Sequence, residues 1–249
     1  MVAALFSSRY GVKVGACCVM TESTSDSAAH TNAAVITAAR PSGPRVIMHS
    51  VPAGSDSDTA TVRTVRLMSR YINQGRADPL VGAAARSALN VYGRRAQSSA
   101  AVRAWCVYWF TRHNIKFVHD EATMFRIGRP GEQDLVVSPS LLLRLRPGDR
   151  KGDCDCFTCL ECALASHLGL ETVIVTVACD PSDRRRWSHV FPMVLFPDGS
   201  RASLDATPRA RYPGWMVPRD RIYRWQSWST RDGSPVNVGP PGARSRAAA

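Results

Sequence analysis

Apolar residues recur first at helical and then at strand spacing along this chain, and the change of period predicts its elements. After Ser57 or Asp58, either of which can cap a helix, Val62, Val65, Met68 and Ile72 fall three or four apart, and Gly75 is read as the stop. Asp78-Pro79, a cap followed by proline at the first helical position, opens a second helix to about Tyr92. A third starts near Ser98 and Ser99, with Val102, Trp105, Cys106 and Trp109 on one stripe. Short strands are expected at 45–51, closed by Pro52-Ala53-Gly54, and at 115–118. Residues 120–150, punctuated by Gly128, Pro130-Gly131, Pro139 and Pro147-Gly148, read as a long loop. A helix over 154–168 follows, then strands at 171–179, 189–196 and 201–206. Helices that lead into an antiparallel sheet predict an α+β fold.

The ends differ in character. Residues 1–45 are rich in Ser, Thr and Ala without sustained periodicity, and 229–249 combine Gly, Pro and a basic, Ala-rich end. Both read as disordered or loosely ordered, leaving a folded domain over 46–228. No apolar run approaches the roughly 20 residues of a membrane span. Val14-Gly15-Ala16-Cys17 loosely resembles a lipoprotein cleavage site, but Arg9 and Lys13 stand where its apolar stretch belongs, so a cytoplasmic protein without a membrane partner is expected.

The net charge of +12 is carried by arginine, since only Lys13, Lys116 and Lys151 among the 32 basic residues are lysine. The arginines are spread along the chain, the tightest run being Arg184-Arg185-Arg186. No groove-reading helix, zinc finger or aromatic-basic strand accompanies them, so a nucleic-acid partner has no specific support. Oligomeric state is not legible.

Chemistry concentrates at the start of the 154–168 helix. Four of the eight cysteines lie at 154, 156, 159 and 162, too clustered for a secreted disulfide framework. Asp153 is an N-cap and Gly169 a stop. At about 100° per residue, Phe157, Leu160, Leu164 and Leu168 form a stripe that should pack on the sheet, with Cys154 about 60° from its centre. Cys156, Cys159 and Cys162 lie on the opposite side. Thiolate clusters suit zinc or iron–sulfur centres, but a continuous helix splays Cys154 and Cys159 by about 140° and cannot wrap one ion. No metal or organic cofactor is therefore expected, and these three cysteines read as small apolar fillers in preference to a metal or redox set. Cys154 differs. A helix N-terminus favours an anion, so its thiolate should form more readily than that of an ordinary thiol.

A base and its orienter lie downstream. His189 opens an alternating strand, and Phe196-Pro197-Asp198-Gly199 has the chemistry of a type I turn closing a three-residue hairpin. Closing that loop between Phe196 and Ser200 pairs residues whose numbers sum to 396. His189 and Asp205 then become diagonal neighbours on one sheet face, within reach of a carboxylate–imidazole hydrogen bond. Cys154, His189 and Asp205 are thus the candidate nucleophile, base and orienting group.

Gly152-Asp153-Cys154-Asp155, Ser188-His189-Val190 and Leu204-Asp205-Ala206-Thr207, in that order, resemble the transglutaminase-like superfamily of papain-fold cysteine enzymes, in particular its small bacterial and bacteriophage-associated members. The likeness spans about 46–220 and includes Val51-Pro52-Ala53-Gly54, the Phe117 to Asp120 strand end, and Glu132 to Pro139. It implies a helix-borne nucleophile Cys154, with His189 and Asp205 on adjacent antiparallel strands. Members commonly carry a second acidic residue after the Gly-Asp-Cys-Asp run, where this chain has Cys156, so Cys156 inherits no role. The expected function is acyl transfer on the amide bonds of a protein or peptide substrate, by hydrolysis (peptidase or amidase) or by transglutamination, with hydrolysis the default. The alternative is a non-catalytic binding or structural protein of a bacteriophage or its assembly machinery that retains the fold.

Overall fold

Helix α1, Ser57–Ala77, is capped by Asp56, one residue before the first of the two expected caps, because the Asp56 carboxylate accepts the backbone N–H groups of Asp58 and Thr59, each at 2.9 Å. It runs past Gly75, and the reason for that glycine is a helix crossing. A Cβ there would lie 2.8 Å from Ala163 Cβ of the cysteine helix. The computed structural model describes residues 56–91, 99–119 and 135–241. The expected strand at 45–51 and the expected disorder of 1–45 and 242–249 lie outside them.

α2, Pro79–Val91, starts at Pro79 as the spacing predicts, with Leu80 N–H donating to Asp78 Oδ1 at 2.8 Å. α3, Ala100–Asn114, is rotated from its expected stripe. It buries Ala101, Ala104, Cys106, Val107, Tyr108 and Thr111, while Val102, Trp105 and Trp109 stay half-buried. Small Ala101 and Ala104 let the helix approach its neighbours closely, and the tryptophans lie along its margins, Trp109 stacking on His113. The stretch expected to be only loop contains α4, Pro139–Arg144, capped by Ser138 with Pro139 in its first turn. That proline starts a helix; it does not break one.

Strand β1, Lys116–Phe117, pairs in parallel with β2, Lys151–Gly152, which runs straight into α5, Cys154–His167. Gly152 is required at this junction, since a Cβ would fall 2.5 Å from Cys156 Cβ. Asp153 caps α5 as expected, accepting from Cys156 N–H at 3.5 Å, and the helix is released at Gly169, φ +68°. α5 is the central element, buried continuously from Asp155 to Ala165. It packs on α1, α2, α3, β3 and β4. Cys159 and Cys162 share one core cluster with Met68 and Ile72 of α1 and with Ile174, Val190 and Trp228 of the sheet. The thiol stripe therefore lies at the helix–sheet layer, where the periodicity places the leucine stripe. The leucines are buried too, and Phe157 meets Phe117 edge-on at 5.7 Å.

The main sheet is antiparallel, in the order β5-β4-β3-β6-β7: β3 is Glu171–Ala178, β4 His189–Leu195, β5 Arg201–Ser203, β6 Arg224–Ser229 and β7 Pro235–Val236. Helices with an antiparallel sheet make the chain α+β, as its periodicity predicts. The β4–β5 register is Met193↔Ser203, Val194↔Ala202 and Leu195↔Arg201, the expected sum, closed by Phe196 N–H to Ser200 O at 2.8 Å over Gly199, φ +77°. Leu204 N–H to Pro192 O keeps that register one step beyond the strand's end.

Residues 229–241 are not the expected tail. β6 pairs with the central β3, Trp228 is buried and donates to Thr176 Oγ1 at 2.9 Å, and the chain turns at Gly233 to form β7 on the sheet edge. Asn73 Nδ2 donates to Arg231 O at 2.6 Å and Ser69 Oγ to Ser229 O at 3.1 Å, fastening this turn to α1. Its Ser, Asp, Gly and Pro are turn and edge-strand chemistry, which composition alone does not separate from a linker.

Candidate active site

Each predicted residue reaches the site through one local device. The β1–β2 pair and the Asp153 cap fix where α5 begins, which places Cys154 in its first turn. The hairpin loop fixes the β4–β5 register, which carries His189 to one end of β4 and leaves Asp205 just beyond β5. His189 Nε2 and Asp205 Oδ2 are 2.7 Å apart, with their side chains 5% and 1% exposed. Asp205 Oδ1 accepts Thr207 N–H at 2.9 Å, and Ser203 Oγ accepts Asp205 N–H at 3.1 Å, so the carboxylate is held on both oxygens. With Nε2 engaged, Nδ1 is the ring nitrogen left to exchange a proton.

Cys154 is half-buried and, with His189, lines a cavity of about 450 Å³. Its walls are Thr61, Thr64, Val65 and Met68 of α1, the 179–188 loop, Asp153, Asp155 and the 189–190 end of β4, with His119 and Arg209 at other points.

Electrostatics divide the groups. Burial alone would raise the Asp205 pKa, but the charge and hydrogen bond of His189, with those from Thr207, outweigh it and hold the carboxyl below the ordinary carboxylate range. Cys154 runs opposite to the expectation from its helix terminus. Burial, then the carboxylates of Asp153 and Asp155, push its thiol well up, against a smaller contribution from the Val190 N–H. The helix start brings two acids to the thiol, and these add to the larger effect of burial. Together these effects favour the neutral thiol of Cys154 over its thiolate.

The other cysteines of the run are set apart. Cys156 Sγ donates to Leu135 O and accepts Val137 N–H, both at 3.2 Å; Cys159 Sγ points at Met68 O at 3.8 Å; burial pushes Cys162 up to about 12. All six described cysteines are free. The single described group with metal-ligand proximity is Asp153, Asp155 and Cys156, whose ligand atoms lie within 4.8 Å of one another. Asp153 already caps α5 and Cys156 already bonds to the 135–137 backbone, and the set does not include Cys154, Cys159 or Cys162.

Two features are not legible in the sequence. Trp187, two residues before His189, donates from Nε1 to Asp58 Oδ1 at 2.8 Å and lies under the Arg224 guanidinium at 4.2 Å, while Arg224 pairs with Asp58 at 2.9 Å. This latch ties the 179–188 loop to α1 and β6. Its only signal is an aromatic residue close to the candidate histidine. Arg112 of α3 donates to the carbonyls of Ala206, at 3.0 Å, and Thr207, gripping the segment that carries Asp205. Nothing local in the sequence marks that contact, which joins residues 94 and 95 positions apart.

No family model and no curated protein matches this chain. Among solved structures, one from Parabacteroides distasonis described as a "putative protease" aligns at 11% identity and TM-score 0.41, over 71% of this chain and 30% of that one. The chain therefore spans under a third of that protein's length, and a likeness this slight supports no functional argument. No described helix is long and apolar enough to cross a membrane.

Proposed function

We propose that this protein is a cysteine-nucleophile acyl-transfer enzyme acting on amide bonds, of the transglutaminase-like, papain-fold type, with Cys154, His189 and Asp205 as its triad. The observation that carries the reading is the buried His189–Asp205 hydrogen bond at the wall of a cavity that Cys154 shares. A binding module has no use for a histidine oriented by a buried carboxylate beside a half-buried thiol.

His189 Nδ1 takes the Cys154 proton as Sγ attacks the amide carbonyl carbon, and Asp205 supports the imidazolium that forms. Backbone N–H groups at the start of α5 stabilise the oxyanion. Collapse of the tetrahedral intermediate breaks the C–N bond, and His189 returns the proton to the leaving amine. Water, or an amine in a transamidation, is deprotonated by His189 and attacks the thioester, releasing the acyl group and restoring the thiol. Because the thiol rests protonated, His189 acts as a base during attack and does not hold a preformed thiolate.

Alkylation of the full-length protein with iodoacetamide, followed by mass spectrometry, tests the reading beside a screen of fluorogenic peptide amides. Cys154 should react in a His189-dependent manner, and Cys154→Ala should lose all turnover. Alkylation that is indifferent to His189→Asn would overturn the assignment and favour the non-catalytic alternative.

A further inference from the structure

Seven residues past Cys154, at nearly the same angle about the axis of α5, lies an acid that the acyl-transfer reaction does not use. Glu161 has no exposed surface. Its carboxyl lies near Asp205 and beside the Ala206 N–H, close enough for that group to favour the anion, yet neither oxygen completes a hydrogen bond among the described residues. From α3, Tyr108 hydroxyl donates to Ala210 O at 3.3 Å and Arg112 grips the carbonyls of Ala206 and Thr207. Arg112, Asp205 and Glu161 all lie close enough for their charges to bear on the Tyr108 phenol; Tyr108, Asp205 and Glu161 are buried and Arg112 is half-buried.

Two buried carboxyls close enough to feel each other's charge disfavour ionisation of both at once. Asp205 has several hydrogen bonds that favour an anion; Glu161 has only the nearby Ala206 N–H, and burial followed by the Asp205 charge pushes its pKa well above the carboxylate range. Such a group does not help the fold at neutral pH. With its folded pKa raised, whatever it contributes to stability is full below the ordinary carboxylate value and is lost as pH rises through the folded one. An apolar side chain of similar volume would fill the space without that loss.

We propose that Glu161 is a positioning residue for the Asp205–His189 pair: buried against the Asp205–Ala206 segment, its carboxyl keeps water from Asp205 and so keeps Asp205 in place to orient the imidazole. This rests on the catalytic reading of Cys154, His189 and Asp205. The ionisable groups around Glu161 are Asp205, Tyr108 and Arg112, with Cys162 on its own helix. Those lining the cavity with His189 are Cys154, Asp153, Asp155, His119, Cys179, Asp180, Arg186 and Arg209.

The full-length Glu161→Gln and Glu161→Ala proteins test this by NMR titration of the His189 imidazole and by the rate of Cys154 alkylation. Gln, neutral and isosteric, should leave both as in the parent. Ala, which admits water behind Asp205, should move the titration and slow alkylation about tenfold or more. A His189 titration displaced by Gln would mean that Glu161 is ionised and overturns the proposal, and this variant decides even if Ala does not fold. An Ala protein that loses only melting temperature, with titration and alkylation unmoved, also overturns it by reducing Glu161 to packing. If alkylation instead proves independent of His189 in the parent protein, the catalytic reading fails, while the titration still reports on Glu161.

Discussion

Replacing Asp205 with Asn separates the carboxylate's charge from its shape. Asp205 Oδ1 accepts Thr207 N–H and Oδ2 faces His189 Nε2. An Asn must present its oxygen to the Thr207 N–H donor, and so turns its NH2 toward Nε2. The ring must then accept at Nε2 and carry its proton on Nδ1, the tautomer that cannot take a proton from Cys154. General-base assistance is worth about 10²–10⁴-fold, and amide turnover and Cys154 alkylation should fall by that order. For stability, a hydrogen bond to a charged group contributes about 1.5–3 kcal/mol, and a near-fully buried pair lies at the upper end. The sign with pH comes from the carboxyl being held below its ordinary range. Its contribution is present above the unfolded value of about 3.9 and is lost as pH falls through the folded one. Urea denaturation of parent and variant should therefore show a difference of about 2–3 kcal/mol at pH 7 that shrinks as the solution is acidified below about pH 4. A variant with parental alkylation, or a stability difference that ignores pH across this window, would refute the assignment of Asp205 as the charged orienter.

Three further outcomes are expected. Cys154→Ala should abolish turnover with an unchanged circular dichroism spectrum, whereas Cys159→Ala and Cys162→Ala should keep activity and lose about 1 kcal/mol or more in denaturation for the packing removed; equal activity losses at all three would refute the separation. Deleting Asp198 should eliminate activity by shifting the β4–β5 register, whereas Asp198→Asn, which keeps an oxygen for Ser200 N–H, should be near neutral in the same assay. Truncation after Ser229 removes β7 and the turn on α1 and should lower the melting temperature by several degrees in calorimetry; an unchanged transition would mean that the edge adds nothing.

Legibility tracks the range of the interactions. Elements fixed by their own residues are readable: Asp153 and Gly169 bound α5, Pro79 opens α2, and Pro197-Asp198-Gly199 sets a register that places His189 beside Asp205. Features fixed by distant partners are not. Gly75 looks like a stop because nothing local reveals Ala163 against it, and Ser138-Pro139 reads as a break until Leu142 and Leu143 have a core to enter. The expected α3 stripe runs through Trp105 and Trp109, but the helix buries the face that carries Ala101, Ala104 and Tyr108 and leaves both tryptophans half-buried. β7 is an edge pair of two residues, too short for any period to register.

The same contrast explains why the sequence places Cys154 correctly and yet suggests the wrong acid–base character for it. Its position depends on one cap and one glycine, both close by in sequence. Its proton affinity depends on everything that surrounds the helix, and there desolvation and the Asp153 and Asp155 charges raise it. A thiolate held by a helix end would make His189 a counter-ion, and Asp205 an accessory to it. On the proposed mechanism a thiol held neutral makes the tautomer of His189 decisive, and Asp205 would set that tautomer from a segment that Arg112 grips. On that proposal, the chemistry would depend less on the helix that carries Cys154 than on how firmly the far side of the imidazole is fixed. Loss of activity should accordingly follow disturbance of the Asp205 segment more closely than disturbance of the helix start. Arg112→Met compared with Asp153→Asn, scored by the His189-dependent part of Cys154 alkylation, puts this to the test. A larger loss from Asp153→Asn would return the leading part to the helix terminus.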